Sequence, residues 1–170
     1  MIPDPSPMAA GPSSAGPSSG LEPRDDVAER QAVMALCARA TLKELQSAVE
    51  RFQPLPKLTD LRPPEMGLVM VQGRTGGDGG PFNLGEATVT RAAVQVQGGA
   101  TGVCYMLGRV PEKARAAAVL DALWQDTALR LAVADALRPV RRRLATEASA
   151  EAAETEATKV NFFTMTRGED

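Results

Sequence analysis

A chain of 170 residues suffices for one globular domain with at most a short additional arm, and its 44% hydrophobic content suits a folded protein. Nineteen basic and twenty-one acidic residues leave a net charge of −2, so no overall field draws in nucleic acid or another polyanion. Histidine is absent, which removes the commonest general base and transition-metal ligand, and with them Ser-His-Asp or Cys-His catalysis and the usual zinc sites.

Residues 1–21, almost entirely Pro, Gly, Ser and Ala, cannot bury enough apolar surface to offset the entropy of ordering them. They are expected to form a disordered tail. They also lack a basic segment followed by an apolar one, and no run in the chain approaches the length needed to span a bilayer. A cytoplasmic protein that does not engage membranes is expected. Cys37 and Cys104 lie far apart in apolar stretches with no metal or disulfide spacing, as buried free thiols would.

From Asp25 to about Ala40, Val27, Val33, Met34 and Cys37 fall roughly on one helical face. Thr41 and Glu44 form a T-x-x-E capping box that opens a second helix with Leu42, Leu45, Val49 and Phe52 facing inward, ended by Pro54 and Pro56. From Gly67 the pattern is that of strands. Leu68-Val69-Met70-Val71 is apolar on both faces, as a buried strand would be. Gly73–Gly80 is a loop, and Pro81–Leu84 a short extended segment.

Residues 86–97 read as a longer strand in which the polar and apolar positions exchange parity near Arg91–Ala93, which suggests a bulge or twist. Gly98-Gly99 marks a hairpin turn, and Thr101–Leu107 returns with Val103, Tyr105 and Leu107 on one face. Pro111 and Glu112 suit the start of a helix rich in small residues that runs to about Gln125 and can pack closely on the sheet. Another helix from about Ala128 carries Leu129, Leu131, Val133 and Leu137 until Pro139. Beyond it the chain is Ala- and Glu-rich, a good helix former with too thin an apolar face to make a core. There, Arg138, Arg141, Arg142 and Arg143 precede Glu147, Glu151, Glu154 and Glu156 at salt-bridge spacing, the pattern of a solvated face.

The expected fold is therefore α+β. Residues 22–138 would pack helices on a small antiparallel sheet, and residues 139–170 would form a helical arm and a C-terminal docking segment. In that segment Phe162, Phe163 and Met165, followed by Arg167, return hydrophobicity after a helix that offers them little cover. An exposed aromatic cluster of this kind suits docking on another chain.

Three stretches carry a family resemblance: GLVMVQGRTGGDGG at 67–80, GEATVTRAAV at 85–94 continuing to GRVPEKARAAAVLDALWQD at 108–126, and the terminal NFFTMTRGED. Together and in this order they resemble the G subunit of the carbon–phosphorus lyase core, the PhnG family. The resemblance implies a subunit of a hetero-oligomeric complex in organic phosphonate catabolism. That complex transfers the ribose triphosphate of ATP or GTP to an alkylphosphonate, giving a ribose 1-phosphonate 5-triphosphate. A later radical step belongs to another subunit, with its iron–sulfur cluster and S-adenosylmethionine. The resemblance implies an assembly role for this chain, with no catalytic residue, metal or cofactor of its own.

The residues leave a rival open. Arg74, Gly76, Gly77 and Asp78 lie in a glycine-rich loop that could present N–H groups to a phosphate, although it matches neither the P-loop nor the dinucleotide fingerprint. Arg91 needs an acceptor, which could be Glu86, a carboxylate of another subunit or a substrate phosphate. With Arg109, an otherwise ordinary charged loop residue, these groups could serve a small nucleotide- or phosphate-binding enzyme acting alone. Asp121 and Asp126 are too isolated to be a catalytic pair.

Overall fold

The computed structural model describes residues 23–76 and 79–158. The expected tail of residues 1–21, the loop residues Gly77 and Asp78, and the docking residues Phe162, Phe163, Met165 and Arg167 lie outside the described residues. Helix α1 (Pro23–Arg39) leads into α2 (Leu42–Glu50), and the chain then enters β1 (Leu58–Arg74), β2 (Pro81–Val96) and β3 (Thr101–Leu107). Helices α3 (Pro111–Trp124), α4 (Arg130–Ala136) and α5 (Arg138–Ala157) follow. Fold class agrees with expectation: helices pack on one face of a three-stranded antiparallel sheet of order β1-β2-β3. None of the described helices is long and apolar enough to cross a membrane.

Local chemistry places the helix starts. The Thr41 hydroxyl accepts from the Glu44 N–H while the Glu44 carboxylate accepts from the Thr41 N–H, a complete capping box. Pro111 occupies the first turn of α3, where its missing N–H costs no helical hydrogen bond. Pro139 sits likewise in the first turn of α5, so it begins that helix after a short break from α4.

Helix α3 is the spine of the core. Ala114, Ala117, Ala118, Leu120 and Leu123 are buried along it, against Ala92 and Val94 of β2 and Cys104 and Met106 of β3. Val33 and Cys37 of α1 and Leu45 and Ala48 of α2 close the cluster from the other side. The small residues of α3 allow a very close approach: a Cβ on Gly102 of β3 would lie 1.9 Å from the Ala118 carbonyl oxygen and 2.4 Å from the Ala122 nitrogen.

Several expectations need correction. Val27, expected on one helical face with Val33 and Cys37, is 55% exposed while those two are buried, and Leu131 is 84% exposed. Strand β1 begins at Leu58 rather than near Gly67, and it contains Pro63 and Pro64. As the sheet's edge strand it can hold both, because an edge residue need not donate outward. The segment at 81–84 is continuous with the next strand. The irregularity expected near Arg91–Ala93 lies at that level of the sheet, but in the partner strand: register shifts fall between Asp60 and Arg62 and between Arg62 and Glu65, whereas β2 pairs with β3 without a break.

The parity change in β2 arises because Thr90 is a buried polar residue on the helix-facing side. Its hydroxyl donates to the Gly108 carbonyl at 2.6 Å and accepts from the Val110 N–H at 3.0 Å. The largest correction concerns Leu68–Val71. Leu68 is 62% and Met70 53% exposed, on an edge strand rather than a buried one. Finally, Val140 and Leu144 of α5 belong to the core cluster, so the packed unit continues beyond residue 138 before the helix becomes exposed.

Because the Gly102 contact is with backbone that cannot yield independently, Gly102→Ala should destabilise the chain by about 3 kcal/mol, at the upper end of overpacking costs. Urea denaturation checks this; an unchanged midpoint would show that α3 can slide away from the sheet.

Candidate functional site

The polar groups form three separate sets. The first ties α1, α3 and β3 together. Asp121 is fully buried, and Arg30 donates to both of its carboxylate oxygens at 2.7 Å. Asp121 Oδ2 also accepts the Val103 N–H at 2.8 Å, and Gln125 Nε2 donates to the Thr101 carbonyl at 2.8 Å. The outer edge of β3 is thus partly capped by side chains from α3, which satisfies backbone groups that an edge strand would otherwise present. Nearby, the Arg130 guanidinium stacks over Trp124 at 4.5 Å and donates to Asp26 at 2.7 Å. Asp121 is thus committed to structure, with both carboxylate oxygens engaged and the side chain only 1% exposed.

The second set joins α2 to α5. Arg143 donates to Glu44 through Nε at 2.8 Å and Nη2 at 3.0 Å, and to Glu147 at 2.8 Å. The expected spacing partner Glu147 is therefore used, and Arg138 pairs within the helical region with Asp135 at 2.6 Å. Hydrogen bonds from Arg143, helped by those from Thr41, hold the Glu44 carboxyl down to about 2, well below the ordinary glutamate range.

The third set lies on the sheet face away from the helices. Arg91 donates to Glu65 at 2.6 Å, Glu65 also pairs with Arg62, and Tyr105 stands beside Arg91 in the ladder. The acceptor for Arg91 is thus Glu65, across the strand pair, rather than Glu86. Both Arg91 and Glu65 remain more than two-fifths exposed as side chains.

The sequence candidates do not converge. Arg74 pairs with Pro81 at the tip of the β1–β2 hairpin, with Gly76 in the left-handed region at φ 62°. At the usual strand rise, the nine residues from Glu65 to Arg74 put the Arg91–Glu65 pair about 30 Å from the tip. Arg109 follows Gly108, whose φ of 92° turns the chain from β3 into α3. It lines a cavity of about 430 Å³ with Thr41, Glu112 and Lys113, and the Lys113 ammonium is engaged by the Ala38 carbonyl at 2.7 Å. The three arginines therefore occupy a hairpin tip, a sheet face and a helix entrance.

Both cysteines are buried, and burial pushes the Cys37 thiol up to about 12 and the Cys104 thiol up to about 11, so neither is a ready nucleophile. Among the described residues no group of three or more His, Cys, Asp or Glu side chains is placed to hold a metal. Sequence reasoning missed Arg30 entirely. The available signal was Asp121 itself, an acid in the apolar run AVLDALW, which requires a cationic or N–H partner once buried.

A family model described as "Phosphonate metabolism protein PhnG" matches residues 28–168. The chain is also 49% identical over 144 residues, 85% of its own length and 92% of the relative's, to a protein of Rhizobium meliloti (strain 1021). That relative is the alpha-D-ribose 1-methylphosphonate 5-triphosphate synthase subunit PhnG.

The Glu44 site generates a pH prediction. Its carboxyl titrates lower in the folded chain than in the unfolded one, so the stabilisation is fully present above the ordinary glutamate range near 4.5 and is lost as pH falls toward 2. Urea midpoints measured from pH 6 to pH 2.5 should fall more steeply for the native chain than for Glu44→Gln. Parallel curves would show that Arg143 does not hold Glu44 in solution.

Proposed function

The chain belongs to the PhnG family of phosphonate metabolism proteins, and from that premise we propose that it is the PhnG subunit of a ribose 1-methylphosphonate 5-triphosphate synthase. The reading is carried by the 49% identity to the Rhizobium meliloti synthase subunit, spread over 85% of this chain. The substrates proposed for the complex are ATP or GTP and an alkylphosphonate. In such a reaction a phosphonate oxygen forms a bond to the anomeric carbon of the ribose as the bond from that carbon to the purine nitrogen breaks. An enzyme doing this must gather cations around the triphosphate and place a proton donor at the departing base.

This chain's geometry favours a supporting role in that chemistry. Arg30, Arg91, Arg130 and Arg143 are engaged by carboxylates of the same chain. Arg74, Arg91 and Arg109 are dispersed among a hairpin tip, a sheet face and the entrance to α3. We assign the chain to assembly of the synthase and to supporting an active site in a companion subunit. The partners are the other core subunits, and the terminal residues Phe162, Phe163, Met165 and Arg167 remain docking candidates on sequence grounds.

Affinity purification of the tagged full-length chain from phosphate-starved cells should recover companion subunits in fixed stoichiometry, and calorimetry of the isolated chain with ATP should show no saturable micromolar binding. Tight ATP binding together with product formation from methylphosphonate by the chain alone would instead support an independent enzyme.

A further inference from the structure

Among the described residues, an extended apolar surface lies on the outer half of the β1–β2 hairpin. Strand β3 pairs only with Val89–Gln95, whereas β1 and β2 continue together from Leu68 and Thr88 out to Arg74 and Pro81. This two-stranded arm projects about 20 Å at the usual rise per residue. Such a ribbon is at best marginally stable in water unless something covers it.

Both faces of the arm are apolar. Met66, Leu68 and Met70 line one face at 59%, 62% and 53% exposure, opposite Thr90, Thr88 and Glu86. On the other face, Val71, Phe82 and Leu84 are also exposed, and Phe82 and Leu84 lean over Gly73, where an added Cβ would lie 2.7 Å from Leu84 Cδ1. The Val71 face runs in register through Val69 and Gly67 onto the open face of the three-stranded sheet, where Val103, Tyr105 and Leu107 are 50%, 60% and 72% exposed.

At roughly 180 Å² per large side chain, these nine expose on the order of 900 Å² in total, divided between the two faces. That area is comparable to one partner's share, about 800 Å², of a standard stable interface. We infer that the arm and the open sheet face form one docking surface, seated in a two-walled apolar cleft of a companion subunit of the synthase. The inference rests on the synthase reading above.

Its occupant is argued from shape and charge. Pairing two copies edge to edge along β1 would satisfy backbone groups yet leave both side-chain faces in water, whereas a cleft with two walls covers both. From Met66 to Arg74 and from Pro81 to Thr88 the strands carry one cation, Arg74, and one anion, Glu86. On the open face Arg62 and Arg91 are set against Glu65, so the whole surface carries three cations and two anions, and so small a net charge offers little to an anionic membrane or another polyanion. Arg74 at the tip fits a carboxylate at the cleft floor.

The test uses the full-length chain co-expressed with the other synthase subunits. Leu68→Glu combined with Met70→Glu changes two exposed side chains, so the free variant should melt within about 2 °C of the native chain, while recovery of companion subunits should fall at least about tenfold. Leu131→Glu, at a still more exposed position on α4, should recover them normally. Hydrogen exchange supplies a readout independent of the variant's folding: amides of 66–74 and 81–88 should be protected in the assembled complex relative to the free chain.

An intact complex with the double variant, or arm amides that exchange equally fast in both states, would overturn the inference while leaving the synthase reading standing. A native chain that forms a dimer through the arm and keeps the arm unprotected in the complex would overturn it in favour of self-association. Failure of the native chain to recover any companion subunit would overturn the synthase reading, and the inference with it.

Discussion

Helix α3 crosses strand β3 so closely that no side chain fits between them at Gly102, where a Cβ would meet the Ala118 carbonyl at 1.9 Å. That approach sets the positions of most other parts. It requires the alanines at 114, 117, 118 and 122, and it brings the Asp121 carboxylate within reach of the Val103 N–H at 2.8 Å. A carboxylate buried there needs further compensation. Arg30 supplies it from α1, so the same contact that joins helix to sheet also fixes the first helix against both. The sheet therefore has one face closed by helices and held in place by a buried ion pair, and the other face open.

The open face is where this chain differs from a self-sufficient domain. A monomer evolved to act alone would place charged side chains on an exposed sheet face and an exposed hairpin. Here Val103, Tyr105 and Leu107 surround the Arg62–Glu65–Arg91 cluster on the face, and Met66, Leu68 and Met70 line the hairpin. Several cationic groups are instead held within the chain, as Arg91 is by Glu65 and Arg143 by Glu44 and Glu147. A subunit of a larger synthase reconciles the two features: apolar surface is supplied for assembly, and charge is used to keep this chain's own elements in register.

The parts of the fold legible in the sequence were those set by short-range chemistry. The Thr41–Glu44 capping box, Pro111 at a helix start and the Gly98-Gly99 turn each act over a few residues, and each lies where its chemistry requires. The root of β1 was not legible, because Pro63-Pro64 reads as a break unless one knows that the strand lies at an edge. Leu68–Val71 misled for a deeper reason. A run apolar on both faces records that both faces are suited to cover, and it carries no mark of which chain supplies that cover. The Arg91 acceptor was legible as a need but not as an identity, since Glu65 comes opposite it only through the bulged pairing around Pro63-Pro64. Arg30 and Asp121 were likewise beyond local reading, being 91 residues apart in the chain.

The central claim is that this chain supports the synthase without lending it a reacting group. The most direct measurement is the steady-state rate of purine base release from ATP with methylphosphonate by the assembled complex, using chains in which Arg74, Arg91 and Arg109 are each changed to alanine. If the chain only supports assembly, every complex that forms with native stoichiometry should keep kcat within about threefold of the native value. An intact complex whose kcat falls a hundredfold on loss of one of these arginines, about 2.7 kcal/mol of transition-state stabilisation, would place that residue in the chemistry and contradict the account.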